Sequence, residues 1–492
     1  MATATAETRS YRQDSVASGA IYLLGSQFMM LAAGYAVHAF LGRTLSPATY
    51  GLFGVVMAFL TWVEVSLCGG FPYVIRKFGA ANPSRLPGIV RTALKGQFVY
   101  AMLLLSLTLV TAPLLAAALG EPGMTGLIRI AALDIPIFAF YFSYLGILNA
   151  KRAFRMQSMA VSLYATGKVI FILTFVIVGW GVPGALVGNI VASVIGFGVA
   201  AAAVGRFGRG SNEPMRPLIG YAAGTALLGV IFTLLISIDI FCVKALMEDG
   251  NQVGYYVAAA TLARAPFMLF IAISTVTLPA LSNAISSNDG RLVHVYVSQS
   301  LRLHLIMLLP LTVIISASST RLVTLVYGHG YESAGPVLSL LMAAFMLFGL
   351  TNALYHMLVA AGQTKFPLAS TAVLVMVLIG LALWMIPKYG IFGGAVAATW
   401  AAALGFAGAG VAVHRRFGST IGLRSLLRII AVSALIYMIA YTIQLSGVYL
   451  IPFYAALGLL YLLILTGIRE ITLEDLSRLA PRTEGGKRRN RK

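Results

Sequence analysis

The chain reads as an all-α integral membrane protein with about 14 transmembrane helices, in two pseudo-twofold-related six-helix lobes plus two C-terminal helices. Composition is the first reason. Of 492 residues, 59% are hydrophobic and 10% charged, with a mean hydropathy of +0.89, far too apolar for a soluble globular protein. The texture of the apolar runs is the second. Stretches of roughly 20 residues recur from end to end, and they are continuous rather than alternating, which selects helices over barrel strands. The third is an internal repeat. Trp180-Gly181-Val182-Pro183-Gly184 opens a segment with a small residue at every fourth place: Gly184, Gly188, Ala192, Gly196 and Ala200. Tyr389-Gly390-Ile391-Phe392-Gly393 opens a second such ridge, Gly393, Ala397, Ala401, Gly405 and Ala409, 209 residues later. Ridges of this kind let helix backbones approach closely in lipid.

In order, the spans fall at about 20–41, 52–74, 98–119, 127–149, 157–178 and 183–205, then at 218–245, 253–281, 300–319, 335–360, 367–386 and 393–413, with 426–444 and 450–468 after them. Residues 1–18 are polar and the first apolar run is too long for the h-region of a secretory signal, so it reads as an uncleaved helix. Leu45-Ser46-Pro47-Ala48-Thr49-Tyr50-Gly51-Leu52-Phe53 leads into the second span. Asp249-Gly250-Asn251-Gln252-Val253-Gly254-Tyr255-Tyr256 leads into the eighth, 203 residues on. Asn149-Ala150-Lys151-Arg152-Ala153-Phe154 follows the fourth span, and Ala361-Gly362-Gln363-Thr364-Lys365-Phe366 follows the tenth, at an offset of 212. The two ridges form the sixth and twelfth spans and end in similar basic stops, Arg206-Phe207-Gly208 and Arg416-Phe417-Gly418. Residues 1–210 are therefore expected to form an N-terminal lobe, 211–420 a C-terminal lobe, 421–470 the last two spans and 471–492 a basic cytoplasmic tail. An even number of spans per copy points both copies the same way, which puts the symmetry axis along the membrane normal and a substrate site between the lobes, as in a two-lobed transporter.

The formal net charge of +20 has a topological origin rather than a nucleic-acid one. With these spans, 28 of the 35 Lys and Arg fall on one side together with both termini, five fall on the other, and Lys168 and Arg264 remain inside spans. The asymmetry places both ends in the cytoplasm. In the tail, Thr472 suits a helix cap with Asp475 three places on, and the closing Lys487-Arg488-Arg489-Asn490-Arg491-Lys492 reads as a solvated topogenic run. Cys68 and Cys242 support neither a disulfide framework nor a metal site. Loops are short, the longest being about 75–97 and 282–299, with no extramembrane domain. There is no HExxH, GxSxG, P-loop or CxxC, so neither catalysis, a cofactor nor ATP binding is expected. Transport would then run on an ion gradient, the membrane potential or the substrate gradient.

Ionisable groups inside spans are costly and mark functional candidates. Arg264 lies in Thr261-Leu262-Ala263-Arg264-Ala265-Pro266, with Thr261 and Thr275 on its face and Pro266 loosening the helix beside it. A guanidinium in a low-dielectric cavity suits a phosphate through bidentate bonds; the structural alternative is an ion pair with Asp239. Lys168, one turn after Tyr164, suits a second phosphate or sugar contact, or a pair with Asp134 or Glu64. Asp239, Glu64 and Asp134 are candidates for coupling or charge balance. Asn352 and His356, one turn apart beside Thr351, make a polar face, and Tyr144 is the repeat counterpart of His356; these three are candidate cavity-lining, sugar-binding groups. Tyr35 and Tyr141 are candidate stacking surfaces, against the commoner role of interfacial belt.

Several segments together resemble one known family. Leu41-Gly42-Arg43 through Tyr50-Gly51-Leu52-Phe53 is similar to the first-loop signature of bacterial polysaccharide flippases. Ile238-Asp239-Ile240, Val253-Gly254-Tyr255-Tyr256 and Leu278-Pro279-Ala280-Leu281-Ser282 occupy matching places in the second half. Leu325-Val326-Tyr327-Gly328-His329-Gly330-Tyr331 and Ile386-Pro387-Lys388-Tyr389-Gly390-Ile391-Phe392-Gly393-Gly394-Ala395 resemble the later signatures. The family is the polysaccharide-transport (O-antigen flippase) branch of the multidrug/oligosaccharidyl-lipid/polysaccharide flippase superfamily. The resemblance implies two lobes around a cationic cavity, carrying an undecaprenyl-pyrophosphate-linked oligosaccharide across the bacterial inner membrane by alternating access, with Arg264 and Lys168 in the lining. It implies membrane lipids and other polysaccharide-assembly proteins as partners, and no nucleic acid. The related lipid II branch carries arginines in its first two spans, whereas the first span here has none. Two rivals stand beside this reading: a drug/cation antiporter of the same fold, kept alive by Glu64, Asp134 and Asp239, and a membrane polymerase or glycosyltransferase, opposed by outer loops of no more than about 15 residues.

Overall fold

The computed structural model describes residues 16–205, 213–287, 289–418 and 422–470, with backbone alone for 16–17 and 268–280. The basic tail 471–492, the stop Arg206-Phe207-Gly208 and the side chain of Thr275 lie outside the described residues. The described chain is all-α. Its helices are α1 (Val16–Thr44), α2 (Pro47–Gly69), α3 (Phe71–Ala81), α4 (Leu86–Ala118), α5 (Met124–Ala132), α6 (Asp134–Ala150), α7 (Phe154–Phe175), α8 (Gly181–Val204), α9 (Met215–Leu235), α10 (Ile238–Leu246), α11 (Gly250–Ser286), α12 (Gly290–Ala317), α13 (Ser319–Tyr327), α14 (Ala334–Ala360), α15 (Lys365–Phe417), α16 (Leu423–Thr442) and α17 (Leu450–Gly467).

Among the described residues, 11 helical stretches are long and apolar enough to cross a membrane. Two of them contain a sharp break. Gly179 (φ +100°) and Gly181 (φ +55°) separate α7 from α8, and Gly390 (φ +59°) interrupts α15. Positive φ is accessible to glycine and strained for other residues, so each break is built where the Gly-containing motif ahead of a ridge had placed a turn. The expected count of 14 exceeds these 11 by the spans that the two breaks and the 37-residue α11 would supply. An outward stripe on α4, Leu103, Leu107, Val110 and Leu114, is 58–71% exposed, an apolar face that suits acyl chains. The protein is a multi-span membrane protein.

Helix starts repeat as the sequence does. Ser46 caps α2, accepting from the Thr49 N–H at 3.3 Å, and its counterpart Asp249 accepts from the Asn251 N–H at 2.9 Å ahead of α11. At the far end of α16, Arg321 donates to the carbonyls of Ile443 (2.9 Å), Ala440 (3.3 Å) and Leu445 (3.4 Å), satisfying carbonyls that the helix end leaves open. Glu470, 4% exposed, accepts from Ser425 and pairs with Arg302 at 3.5 Å and Arg428 at 3.4 Å, tying the end of α17 to α12 and α16.

Chain contacts divide the molecule into two compact units. One holds the described residues up to Ala258 together with Thr371–Ala397; the other holds Ala259–Ser370 and the described residues from Ala398 onward. In the first, Phe71, Val74, Ile75, Ile89, Phe138, Tyr141, Leu148 and Tyr164 centre the core. In the second, Leu305, Ile314, Ile429, Ile436, Leu457 and Tyr461 form one core, and Val297, Leu354, Leu358 and Val413 another.

Both small-residue ridges are buried along their whole length. A Cβ on Gly188 would sit 2.7 Å from the backbone nitrogen of Ile172, and one on Gly196 2.9 Å from the Tyr141 ring. A second close approach joins the repeated loop motifs themselves. A Cβ on Gly51 would meet the backbone nitrogen of Gly254 at 2.8 Å, and one on Gly254 would overlap the backbone of Pro47. The two counterpart glycines, 203 residues apart, thus touch each other where α2 crosses the start of α11.

Candidate functional site

In the first unit the structure brings together Glu64, Asp134 and Lys168, three of the residues singled out in the sequence. Asp134 opens α6, where a carboxylate faces the positive end of the helix dipole. It is fully buried, and Asn189 Nδ2 of α8 donates to its Oδ2 at 2.8 Å, with Ser193 one turn further along beside the same carboxylate. Burying a carboxylate costs several kcal/mol, on the order of that for an unpaired ion, unless hydrogen bonds and an opposite charge compensate. Lys168 of α7 is the nearby opposite charge: without an ion pair to either among the described residues, its ammonium acts electrostatically on both Asp134 and Glu64 of α2. Lys168 and Glu64 are half-buried, so both keep some accessible surface while Asp134 keeps none. Lys168 Nζ lies 5.9 Å from the Tyr164 ring centroid, and Tyr164 stacks on Tyr141 at 5.2 Å. Tyr141 is 1% exposed and is therefore core, with no face left for stacking a sugar. Tyr144 is half-buried, edge-on to Phe197 at 5.4 Å.

Asn189 and Ser193 escaped the sequence reading. Their signal was present, since they stand one turn apart and immediately after the ridge residues Gly188 and Ala192, a polar edge beside a helix interface. Asp134 Oδ1, Asn189 Oδ1 and Ser193 Oγ are buried without a direct hydrogen bond among the described residues.

Elsewhere in this unit Asp239, 3% exposed at the start of α10, accepts from the Tyr256 hydroxyl at 2.6 Å. Around it Trp62 Nε1 donates to Ser237 Oγ at 2.7 Å and its ring lies 4.2 Å from that of Phe241, while Lys244 pairs with Glu121 at 3.0 Å. These contacts hold α2 and the chain before α5 against α10 and the start of α11.

In the second unit Arg264 of α11 is half-buried with its guanidinium carbon 5.6 Å from the Phe345 ring of α14. Seven and eleven residues after Phe345, on the same helical stripe, come Asn352 and His356. The stripe grades from buried Phe345 through half-buried Asn352 to exposed His356. Thr351 is not on the open face: it is fully buried and donates to its own helix at Leu347 O, 2.8 Å. His304 of α12, also missed in the sequence, is fully buried with Nδ1 2.6 Å from Ser300 O, and it is electrostatically coupled to His356. Beside Arg264, Ala263, Pro266, Phe267, Leu308, Thr312, Met342, Phe345 and Met346 pack around a narrow apolar gap with no room for a water-sized group, and so none for a phosphate. Among the described residues no group of three or more His, Cys, Asp or Glu is arranged to hold a metal ion.

Long broken helices, buried small-residue ridges and ionisable groups inside apolar helices characterise this fold, and known structures share it. A lipid II flippase, MurJ, in an inward closed conformation matches with a TM-score of 0.75 at 17% identity, covering 94% of this chain and 100% of that one. A multidrug resistance MATE family transporter of the MOP superfamily, inward-facing, matches at TM-score 0.65 and 16% identity over 81% of this chain and 98% of that one. A MOP superfamily transporter from Pyrococcus furiosus, described as having a binding pocket of reverse polarity, matches at 0.60 and 16% over 83% and 98%. The fold is that of the MOP superfamily. The chain itself belongs to the polysaccharide biosynthesis protein family, whose model matches residues 40–336. No curated protein matches the sequence.

Proposed function

We propose that the protein is a flippase that carries a lipid-linked oligosaccharide, on an undecaprenyl-pyrophosphate or closely similar anchor, from the cytoplasmic to the periplasmic leaflet of the bacterial inner membrane. The observation that carries this reading is Arg264: a permanent cation within a span, half-exposed, held on an aromatic ring rather than sunk in the core, at the head of a stripe that continues through Asn352 to His356. A planar guanidinium binds phosphate oxygens in pairs, and the amide and imidazole that follow are suited to sugar hydroxyls. Lys168 is a second cationic contact, and Tyr144 a lining residue.

In this reading the repeats at 1–210 and 211–420 act as two lobes that rock about the Gly51–Gly254 crossing, with 421–470 as accessory spans and both termini cytoplasmic. The carboxylates of the first unit serve coupling. Protonation of Asp134 turns an acceptor oxygen into a donor beside Asn189 and Ser193, and Glu64 and Lys168 are placed to feel the change. Asp239, held by the Tyr256 hydroxyl, is a further group for coupling or charge balance. A drug/cation antiporter is the second reading, favoured by the same buried carboxylates. Arg264→Ala separates the two. Surface polysaccharide of the native host should be lost while the amount of protein in the membrane stays at the parental level, and Arg264→Lys should retain part of the export. Undiminished export by Arg264→Ala removes this residue from the site.

A further inference from the structure

A second cationic centre lies outside the residues discussed so far, on the short helix α3 between the second and third spans. One face of α3 is locked in place. Phe71, Pro72, Val74, Ile75 and Gly79 are buried, and the neighbouring backbones come so close that a Cβ on Gly146 of α6 would sit 3.0 Å from Pro72 O. The opposite face presents Tyr73, 46% exposed, half-buried Arg76 and exposed Lys77. Both cations rest on aromatic rings. The Arg76 guanidinium carbon is 5.3 Å from the Tyr73 centroid, and Lys77 Nζ is 4.2 Å from that of Tyr221 on α9, itself set edge-on to Phe78 at 5.6 Å. Neither makes an ion pair among the described residues. One nearby carboxylate, Glu213, is engaged bidentately by Arg85, with its backbone N–H donating to Thr92. Arg76 Nε is a buried donor with no hydrogen-bond partner, and its charge reaches inward as far as Cys68.

A topogenic charge needs only to be positive and solvated. Here two adjacent cations are oriented by rings that leave their charge unneutralised, on a helix that cannot shift, and one keeps an unsatisfied N–H. Cation–π contact positions a cation without cancelling its charge, which is the condition for receiving an anion. The half-exposed Tyr73 is the kind of side chain that settles at headgroup depth. We propose that Arg76 and Lys77, framed by Tyr73 and Tyr221, form a site for the phosphate of a membrane lipid headgroup at the cytoplasmic face. This site is separate from the Arg264 stripe and does not depend on which substrate the protein carries.

The test is native mass spectrometry of the full chain in detergent, titrated with short-chain phosphatidic acid, with phosphatidylcholine of equal chain length, and with inorganic pyrophosphate. The parent should bind phosphatidic acid in preference to phosphatidylcholine, and Arg76→Gln/Lys77→Gln should weaken that binding by roughly tenfold or more. Arg91→Gln/Lys95→Gln removes the same formal charge from exposed positions on α4 and should leave it unchanged. Tyr221→Leu keeps every charge and should cost a smaller, measurable part of the affinity, and exposed Lys77→Gln alone gives a readout free of folding effects. Equal losses in the two double variants would reduce the face to diffuse electrostatics and overturn the site. So would the absence of a preference for phosphatidic acid, or displacement of that lipid by equimolar pyrophosphate, which would make the ligand a soluble anion.

Discussion

The two compact units differ in where they keep charge. In the first unit acid and base lie together: Asp134 sealed under Asn189, Glu64 and Lys168 beside it with surface to spare. In the second unit Arg264 stands over Phe345 with a histidine pair further along. Carried across by the offsets of the nearest matched segments, Glu64 falls on Phe267, Asp134 on Met346, Lys168 on Val377 and Arg264 on Thr61. Each ionisable group has an uncharged counterpart. The sequence echo therefore keeps the caps, ridges and breaks that set geometry, while each of these four ionisable groups occurs in one copy alone. Under the proposed function, the carboxylates of the first unit would titrate and Arg264 of the second would meet the substrate.

The largest expected effect tests the shared geometry. Gly188→Leu drives a side chain into the backbone of Ile172 and should destabilise the fold by about 3 kcal/mol or more, read as loss of folded protein in the membrane. Ala397→Leu, at a fully buried ridge position in the other copy, should act in the same direction. If both variants accumulate normally, the ridges are not interfaces.

The next effect tests the first half. Asp134→Ala leaves the Asn189 amide without its acceptor and should lower thermal stability in detergent by about 1–3 kcal/mol. Asp134→Asn should cost less than about 1 kcal/mol while stopping transport, because it keeps an acceptor and cannot titrate. Full transport by the Asn variant would confine Asp134 to structure.

A smaller effect is expected at Lys168. Lys168→Met should destabilise by about 1–2 kcal/mol by leaving two carboxylates unbalanced, and Glu64→Gln should recover part of that in the double variant. Additive losses would show that the two groups do not interact. The smallest belongs to Lys244 and Glu121. Glu121 is 39% exposed, so Glu121→Gln should change stability by less than about 1 kcal/mol. A larger loss would mark this pair as a structural clasp.

Much of the architecture was legible in the residues. The ridges proved buried at every position named, and the Gly-containing turns ahead of them carry the positive φ values that break the helices. Lys168 stands in the sequence as a substrate contact or a partner of Asp134 or Glu64, and in the structure its charge acts on both carboxylates. Tyr141 and Thr351 went the other way: each reads as a polar group within a span, and each is packed away, one against Tyr164 and one against its own helix. A hydroxyl that bonds within its own turn leaves no trace in spacing that separates it from one facing a cavity.

Hydropathy was enough to dictate an all-helical membrane protein and to show which ionisable side chains fall inside apolar segments, because lipid demands that every span satisfy its own backbone and penalises each buried charge. Partnership was another matter. That Asn189 bonds Asp134, that Gly51 meets Gly254 and that Arg264 lies over Phe345 depend on how helices far apart in the chain rotate and cross. Helical periodicity specifies a face but not what faces it, so these pairings were decided by packing in three dimensions.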